Sequence, residues 1–190
     1  MDRNLKLILG SGSPRRKELL GGLDLAFSVD TENNFVEQYP IGLEAQQVPL
    51  YLAEGKSQGF HRELAENEVL ITADTVVIVD GKVLGKPHSR GEAVEMLKAL
   101  SGRCHEVVTA VVLRSPRKQL AFSDSTKVHF AALSDDAIDY YIDRYKPFDK
   151  AGAYGIQEWI GYAGITSIEG SFYNVMGLPV HRIYQELKNF

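Results

Sequence analysis

The sequence predicts an α/β fold built on an extended mixed β-sheet flanked by helices. Three observations lead there. Strand and helix signals alternate from end to end. Turn signals at Asp80-Gly81 and Ser115-Pro116 imply antiparallel neighbours. The regular βαβ repetition of a purely doubly wound sheet is missing. With 190 residues, the chain suits a single domain, or one domain with two lobes, with enough length to bury a core.

Leu5 to Leu9 reads as a first strand, Gly10 to Pro14 as a turn, and Arg15 to Leu23 as a helix with Arg16, Leu19, Leu20 and Leu23 on one face. Leu25 to Val29 gives a second strand, and residues 30–45 look irregular. A helix is expected from Pro49 to Leu64, with the proline tolerated in its first turn. Val69 to Thr72 and Val76 to Val79 are β-rich runs, followed by the Asp80-Gly81 turn and a short strand from Lys82 to Leu84. Ser89 is placed as the N-cap of a helix striped by Ala93, Val94, Leu97 and Leu100 that ends near Gly102. Val107 to Leu113 and Leu120 to Ala132 read as long strands. Ser134 caps a further helix, with Asp135 and Asp136 where the dipole favours them and a stripe of Ile138, Tyr141, Ile142 and Tyr145. Pro179 opens the last helix, striped by Val180, Ile183, Tyr184 and Leu187.

Hydrophobic residues make up 44% and charged residues 24%, an ordinary globular balance. The formal net charge of −4 argues against duplex nucleic acid as a partner. A local basic cluster can still serve a small anion. Cys104 is the only cysteine, so an intramolecular disulfide and a cysteine-based zinc site are excluded, which suits a reducing compartment. The N-terminal stretch MDRNLKLILGSGSPRRK does not read as a leader, and no apolar run approaches the ~18 residues of a membrane span. A cytoplasmic location and no membrane association are the expectations.

Four segments carry candidate chemistry. Gly10 to Lys17 (GSGSPRRK) lies between a strand and a helix, where glycines allow close backbone approach and helix N–H groups favour phosphate. Ser11 and Ser13 add hydroxyls, and Arg15 and Arg16 can grip phosphoryl oxygens. The alternative is a solvated turn, which must explain basic side chains set against the helix dipole. The loop is not a Walker A motif, because GxxxxGK[ST] is absent. Lys56 follows Val48 and Leu52 on an apolar stripe, so it either snorkels outward or meets an anion. Asp74 interrupts the apolar run Ile71 to Val79; it either binds something or marks a turn between strands. Lys86-Pro87 follows the hairpin and can return a positive charge to the same place. The stretch Asp149 to Gln157 reads locally as a plain glycine loop, although the Gln157 amide can read a base edge. None of the five histidines has HExxH-type spacing, and there is no GxSxG elbow.

In this order the segments resemble the Maf family of nucleoside triphosphate pyrophosphatases. The resemblance runs through Leu9 to Arg16, Tyr51 to Lys56, Ala73 to Thr75, Leu84 to Pro87, Asp149 to Gln157 and Gly170 to Pro179, nearly the whole chain. It implies a mixed sheet in two lobes with a central cleft, often in a homodimer, with Mg²⁺ or Mn²⁺ as cofactor and a nucleoside triphosphate as substrate. By the same resemblance, Asp74 is the proton acceptor or metal-linked carboxylate, and Lys56 and Lys86 face the phosphates. Glu37 matches an acidic residue that shares the metal with Asp74. The usual Asp-Glu pair reads Val36-Glu37 here. Tyr154 to Gln157, with Arg15 and Thr75, is similar to the branch acting on dTTP and UTP. Hydrolysis of 7-methyl-GTP is the alternative within the family. A nucleotide-binding regulator of cell division is the alternative outside catalysis.

Overall fold

The computed structural model describes residues 5–190; the first four residues of the N-terminal stretch read above lie outside it. Along the chain the elements are β1 (Lys6–Leu9), α1 (Pro14–Gly21), β2 (Phe27–Val29), α2 (Val48–Gln58), β3 (Glu68–Val79), β4 (Lys82–Leu84), α3 (Arg90–Leu100), β5 (Cys104–Arg114), β6 (Gln119–Phe130), α4 (Asp135–Tyr145), α5 (Trp159–Gly164), β7 (Ile165–Glu169), α6 (Phe172–Met176) and α7 (Val180–Lys188). The strands form a seven-stranded mixed sheet in the order β2-β1-β3-β5-β6-β7, with β4 also paired to β3. β1 runs parallel to β2 and β3, whereas β4 and β7 pair antiparallel with β3 and β6.

Local chemistry sets several ends. Ser89 and Ser134 accept hydrogen bonds from the N–H groups of Glu92 and Ala137, the expected N-caps of α3 and α4. Asp80 and Gly81 both adopt positive φ (50° and 72°) in the turn between β3 and β4. Lys146 ends α4 in the left-handed conformation, ahead of Pro147.

Three expectations are corrected. The helix expected to reach Leu64 stops at Gln58. There the segment 33–35 crosses the chain: Asn34 N–H donates to Gly59 O, and Asn33 bridges to Phe60 in an antiparallel fashion. A Cβ at Gly59 would lie 2.6 Å from Asn33 Oδ1 and 2.7 Å from Phe35 Cβ, so this tertiary pairing overrides helix propensity. The two β-runs around Asp74 are one continuous strand, β3, so Asp74 is not a turn residue. Tyr184 of α7 faces solvent rather than the core. α5, β7 and α6 are short additions that the sequence pattern did not announce.

The chain forms two compact units, whose boundaries fall inside β3, β5 and β6 and at the end of α6. The first comprises residues up to Asp74, Thr109–Asp124 and Gly177–Phe190. Its core includes Ile8, Phe60 and Leu70, with Leu64 against them, and Ala53 with Ala110 and Val112. The second comprises Thr75–Val108 and Ser125–Met176. Its buried residues include Ala93, Leu97 and Leu100 of α3, and Ile138, Tyr141 and Ile142 of α4. His105, Phe130 and Tyr154 form a buried aromatic group with edge-to-face contacts at 5.0 to 5.4 Å.

Candidate active site

In the first unit, β1 ends at Leu9, and Gly10 N–H continues the parallel ladder to Ile71 O at 2.9 Å. The chain then turns through Ser11 to Ser13 into α1. Ser13 caps the helix, its Oγ accepting from Arg16 N–H at 3.4 Å, while Ser13 N–H donates to Ser11 Oγ at 3.3 Å. Arg15 and Arg16 stand in the first turn, which contains no acidic residue.

Arg16 turns back under this loop. Its Nη1 donates to Ala73 O at 2.8 Å and reaches Ser11 Oγ at 3.4 Å, while Nε donates to Gly177 O at 2.9 Å. One guanidinium thus ties the loop to the residue before Asp74. Burial lowers the Arg16 pKa; Asp74 and Glu37 counter that effect, and Arg15 adds to it. The group remains a cation, as arginine does in proteins.

Asp74 sits on β3 with its side chain only 13% exposed, and Lys56 Nζ of α2 meets its Oδ1 at 2.6 Å. The same ammonium lies 3.2 Å from Glu37 Oε2. Lys56 therefore meets anions, and the snorkelling alternative falls away. Sequence reasoning missed how Glu37 gets there. Asn33 donates from Nδ2 to Lys56 O at 2.6 Å and accepts from Phe35 N–H at 2.9 Å. Phe35 lies against two glycines of the α2 end: a Cβ at Gly55 would stand 2.3 Å from its ring. The spacing of Gly55 and Gly59, one turn apart on a helix, is the signal that could have revealed this seat. Two further bonds fasten α2 within the unit, Thr72 Oγ1 to Ala53 O at 2.8 Å and Arg114 Nη2 to Ser57 O at 2.7 Å.

Ser11, Ser13, Arg15, Arg16, Glu37, Lys56 and Asp74 all belong to this first unit, whereas Thr75, Lys86 and Gln157 belong to the second. In the second unit, Gly152 N–H donates to Gly85 O at 3.0 Å, which joins the loop of Gln157 to the loop of Lys86. Gly152, at φ +66°, packs so closely on Val77 that an added Cβ would lie 2.9 Å from Val77 Cγ2. Lys86 is exposed, Thr75 and Gln157 are half-buried, and the Gln157 amide oxygen is buried without a hydrogen-bond partner.

Among the described residues, no group of three or more His, Cys, Asp or Glu side chains is arranged to hold an ion. Asp74 and Glu37 nevertheless offer hard carboxylate oxygens near one point. That donor set fits a magnesium-like cation completed by phosphate and water. Among the described residues, no helix is long and apolar enough to cross a membrane.

A family model described as Maf-like protein matches residues 6–190. The chain is 56% identical to a dTTP/UTP pyrophosphatase of Porphyromonas gingivalis, over 99% of this chain and 96% of that protein. It is 50% identical to a dTTP/UTP pyrophosphatase of Parabacteroides distasonis, over 99% of this chain and 97% of that protein. Among solved structures, a HAM1 protein from Coxiella burnetii matches at a TM-score of 0.52 and 15% identity, covering 98% of this chain and 100% of that one, a likeness of fold.

Proposed function

The chain belongs to the Maf family, and from that premise we propose that it is a nucleoside triphosphate pyrophosphatase that hydrolyses dTTP and UTP to the monophosphate and pyrophosphate. The observation that carries the reading is the cluster in which Asp74 and Glu37 share Lys56, with Asp74 on the strand that Arg16 ties to the Gly10–Ser13 loop. A buried carboxylate held between cations suits charge-dominated phosphoryl chemistry. The names of the relatives from Porphyromonas and Parabacteroides supply the pyrimidine substrates.

In this reading the loop N–H groups, Ser11, Ser13 and Arg15 hold the triphosphate, and Arg16 holds the loop in register with Asp74. Asp74 orients a water molecule and accepts its proton as the water oxygen attacks the α-phosphorus. The bond from that phosphorus to the bridging oxygen breaks, and pyrophosphate leaves. Lys56 and Lys86 offset the charge on the phosphates. Thr75 and Gln157 select the nucleotide, with the Gln157 amide facing the base. Asp74 and Glu37 would hold Mg²⁺ or Mn²⁺, which supplies charge neutralisation at the phosphate oxygens when bound. A homodimer acting on the cytoplasmic nucleotide pool completes the proposal.

Hydrolysis of dTTP in ¹⁸O-labelled water tests the reaction. The label is expected in the monophosphate, with unlabelled pyrophosphate as the other product. Label in pyrophosphate, or release of orthophosphate, contradicts attack at the α-phosphorus.

A further inference from the structure

The loop that carries Gln157 is fastened by polar groups for which the reaction above has no use. Gly155 donates its backbone N–H to Tyr141 Oη at 3.0 Å. Tyr141 in turn donates its hydroxyl to Glu158 Oε2 in a short contact. Glu158 Oε1 meets Lys150 Nζ at 3.1 Å, and the same ammonium meets Asp149 at 2.8 Å. These groups are well shielded: the Lys150 and Glu158 side chains are 10% and 18% exposed, and Tyr141 is fully buried. Burial first, and the hydrogen bond to Glu158 second, push the Tyr141 phenol far above its ordinary pKa, so it remains a donor.

A shielded ion pair is a poor way to stabilise a fold, because desolvation offsets most of the attraction. Such groups do more when they select one conformation among several. Here the chain of bonds leaves the backbone at Gly155 and returns to it at Glu158, bracketing Ile156 and Gln157. The bracket leaves little slack. A Cβ on Gly155 would lie 3.0 Å from Lys150 Cε, 3.1 Å from Gln157 Oε1 and 3.1 Å from Glu158 Cδ. The Gln157 amide oxygen is buried, which leaves the N–H end to meet a base; a donor there matches a ring carbonyl of uracil or thymine and not the amino group that cytosine carries in its place. Uracil and thymine present a ring N–H between two carbonyls. Cytosine presents an unprotonated ring nitrogen beside an amino group.

We infer that Tyr141, Glu158 and Lys150 are positioning residues for base selection, holding the Gln157 amide in the orientation that favours uracil and thymine over cytosine. The inference rests on the pyrophosphatase reading above.

The test compares kcat and KM for dTTP, UTP and CTP in the wild type, Tyr141→Phe and Glu158→Gln. Glu158→Gln keeps the side-chain shape and serves if Tyr141→Phe folds poorly. The dTTP-to-CTP ratio of kcat/KM should contract about tenfold in both variants, mainly through KM for dTTP. Lys150→Arg, which keeps the ion pair, should retain most of the ratio. A parallel fall on all three nucleotides, or an unchanged ratio, overturns the inference. If the wild type releases no pyrophosphate from dTTP, the functional reading itself fails. Calorimetric affinities for dTTP and CTP then decide the inference alone: ratios that match in wild type and variants overturn it, and a ratio that contracts in the variants sustains it.

Discussion

Lys56 lies 2.6 Å from Asp74 and 3.2 Å from Glu37, so the charge that an apolar helix face would otherwise expel is matched twice. The helix position of Lys56 was legible in its spacing from Val48 and Leu52, but its partners were not, because they come from β3 and an irregular segment. Asp74→Asn keeps the shape, and Lys56 retains Glu37 as counter-charge. The variant should therefore fold normally, while kcat falls by about a hundredfold or more. Near-normal turnover, with a matching melting curve, would remove Asp74 from the mechanism. A second residue-scale prediction concerns His105, buried beside Tyr154 with its Nδ1 unpartnered. Burial first, then the neighbouring His129, lower its pKa from 6.5 to about 4. The unfolded state takes up the proton first as pH falls. This contribution to stability is therefore complete above about pH 6.5 and is lost progressively toward pH 4. Between about pH 7.5 and pH 5 the loss is on the order of 2 kcal/mol. Urea melts at both pH values should show that slope in the wild type and a shallower one in His105→Asn; equal slopes would contradict it.

At the level of elements, α2 and the segment crossing its end act together. Capping serines, the Asp80-Gly81 turn and the apolar stripes of α3 and α4 were readable because each depends on residues close in sequence. The early stop of α2 was not, since Asn33 and Asn34 arrive from more than twenty residues away to take over the backbone at Gly59 and Phe60. α5 escaped notice because it shows no side-chain cap, α6 because its five residues are too few for an apolar stripe even though Ser171 Oγ caps it by accepting from Asn174 N–H, and β7 because it is half exposed. Gly55→Ala places a methyl group 2.3 Å from the Phe35 ring and must displace it. The expected cost is about 1–3 kcal/mol of stability, with a fall in kcat/KM as the Glu37 segment shifts. Phe35→Leu in the same chain should recover part of both losses. Strictly additive effects of the two changes would show that Gly55 and Phe35 do not act as a seat for Glu37.

For the whole molecule, the mixed sheet was legible from alternating signals and turns, whereas membership of the Maf family was legible only from motifs spread over nearly the full chain. No motif suffices alone: the Gln157 stretch reads by itself as a glycine loop. Its fastening through Tyr141 and Glu158 depends on α4, an element with no motif of its own. The seven candidates of the first unit and the three of the second accordingly carry different parts of the proposal, phosphate chemistry in the first and mainly nucleotide selection in the second. The most direct test of that account is pyrophosphate release, with Mg²⁺ or Mn²⁺, across dTTP, UTP, CTP, GTP, ATP and 7-methyl-GTP. Release is expected mainly from dTTP and UTP. Release mainly from 7-methyl-GTP, or nucleotide binding without any pyrophosphate, would contradict it.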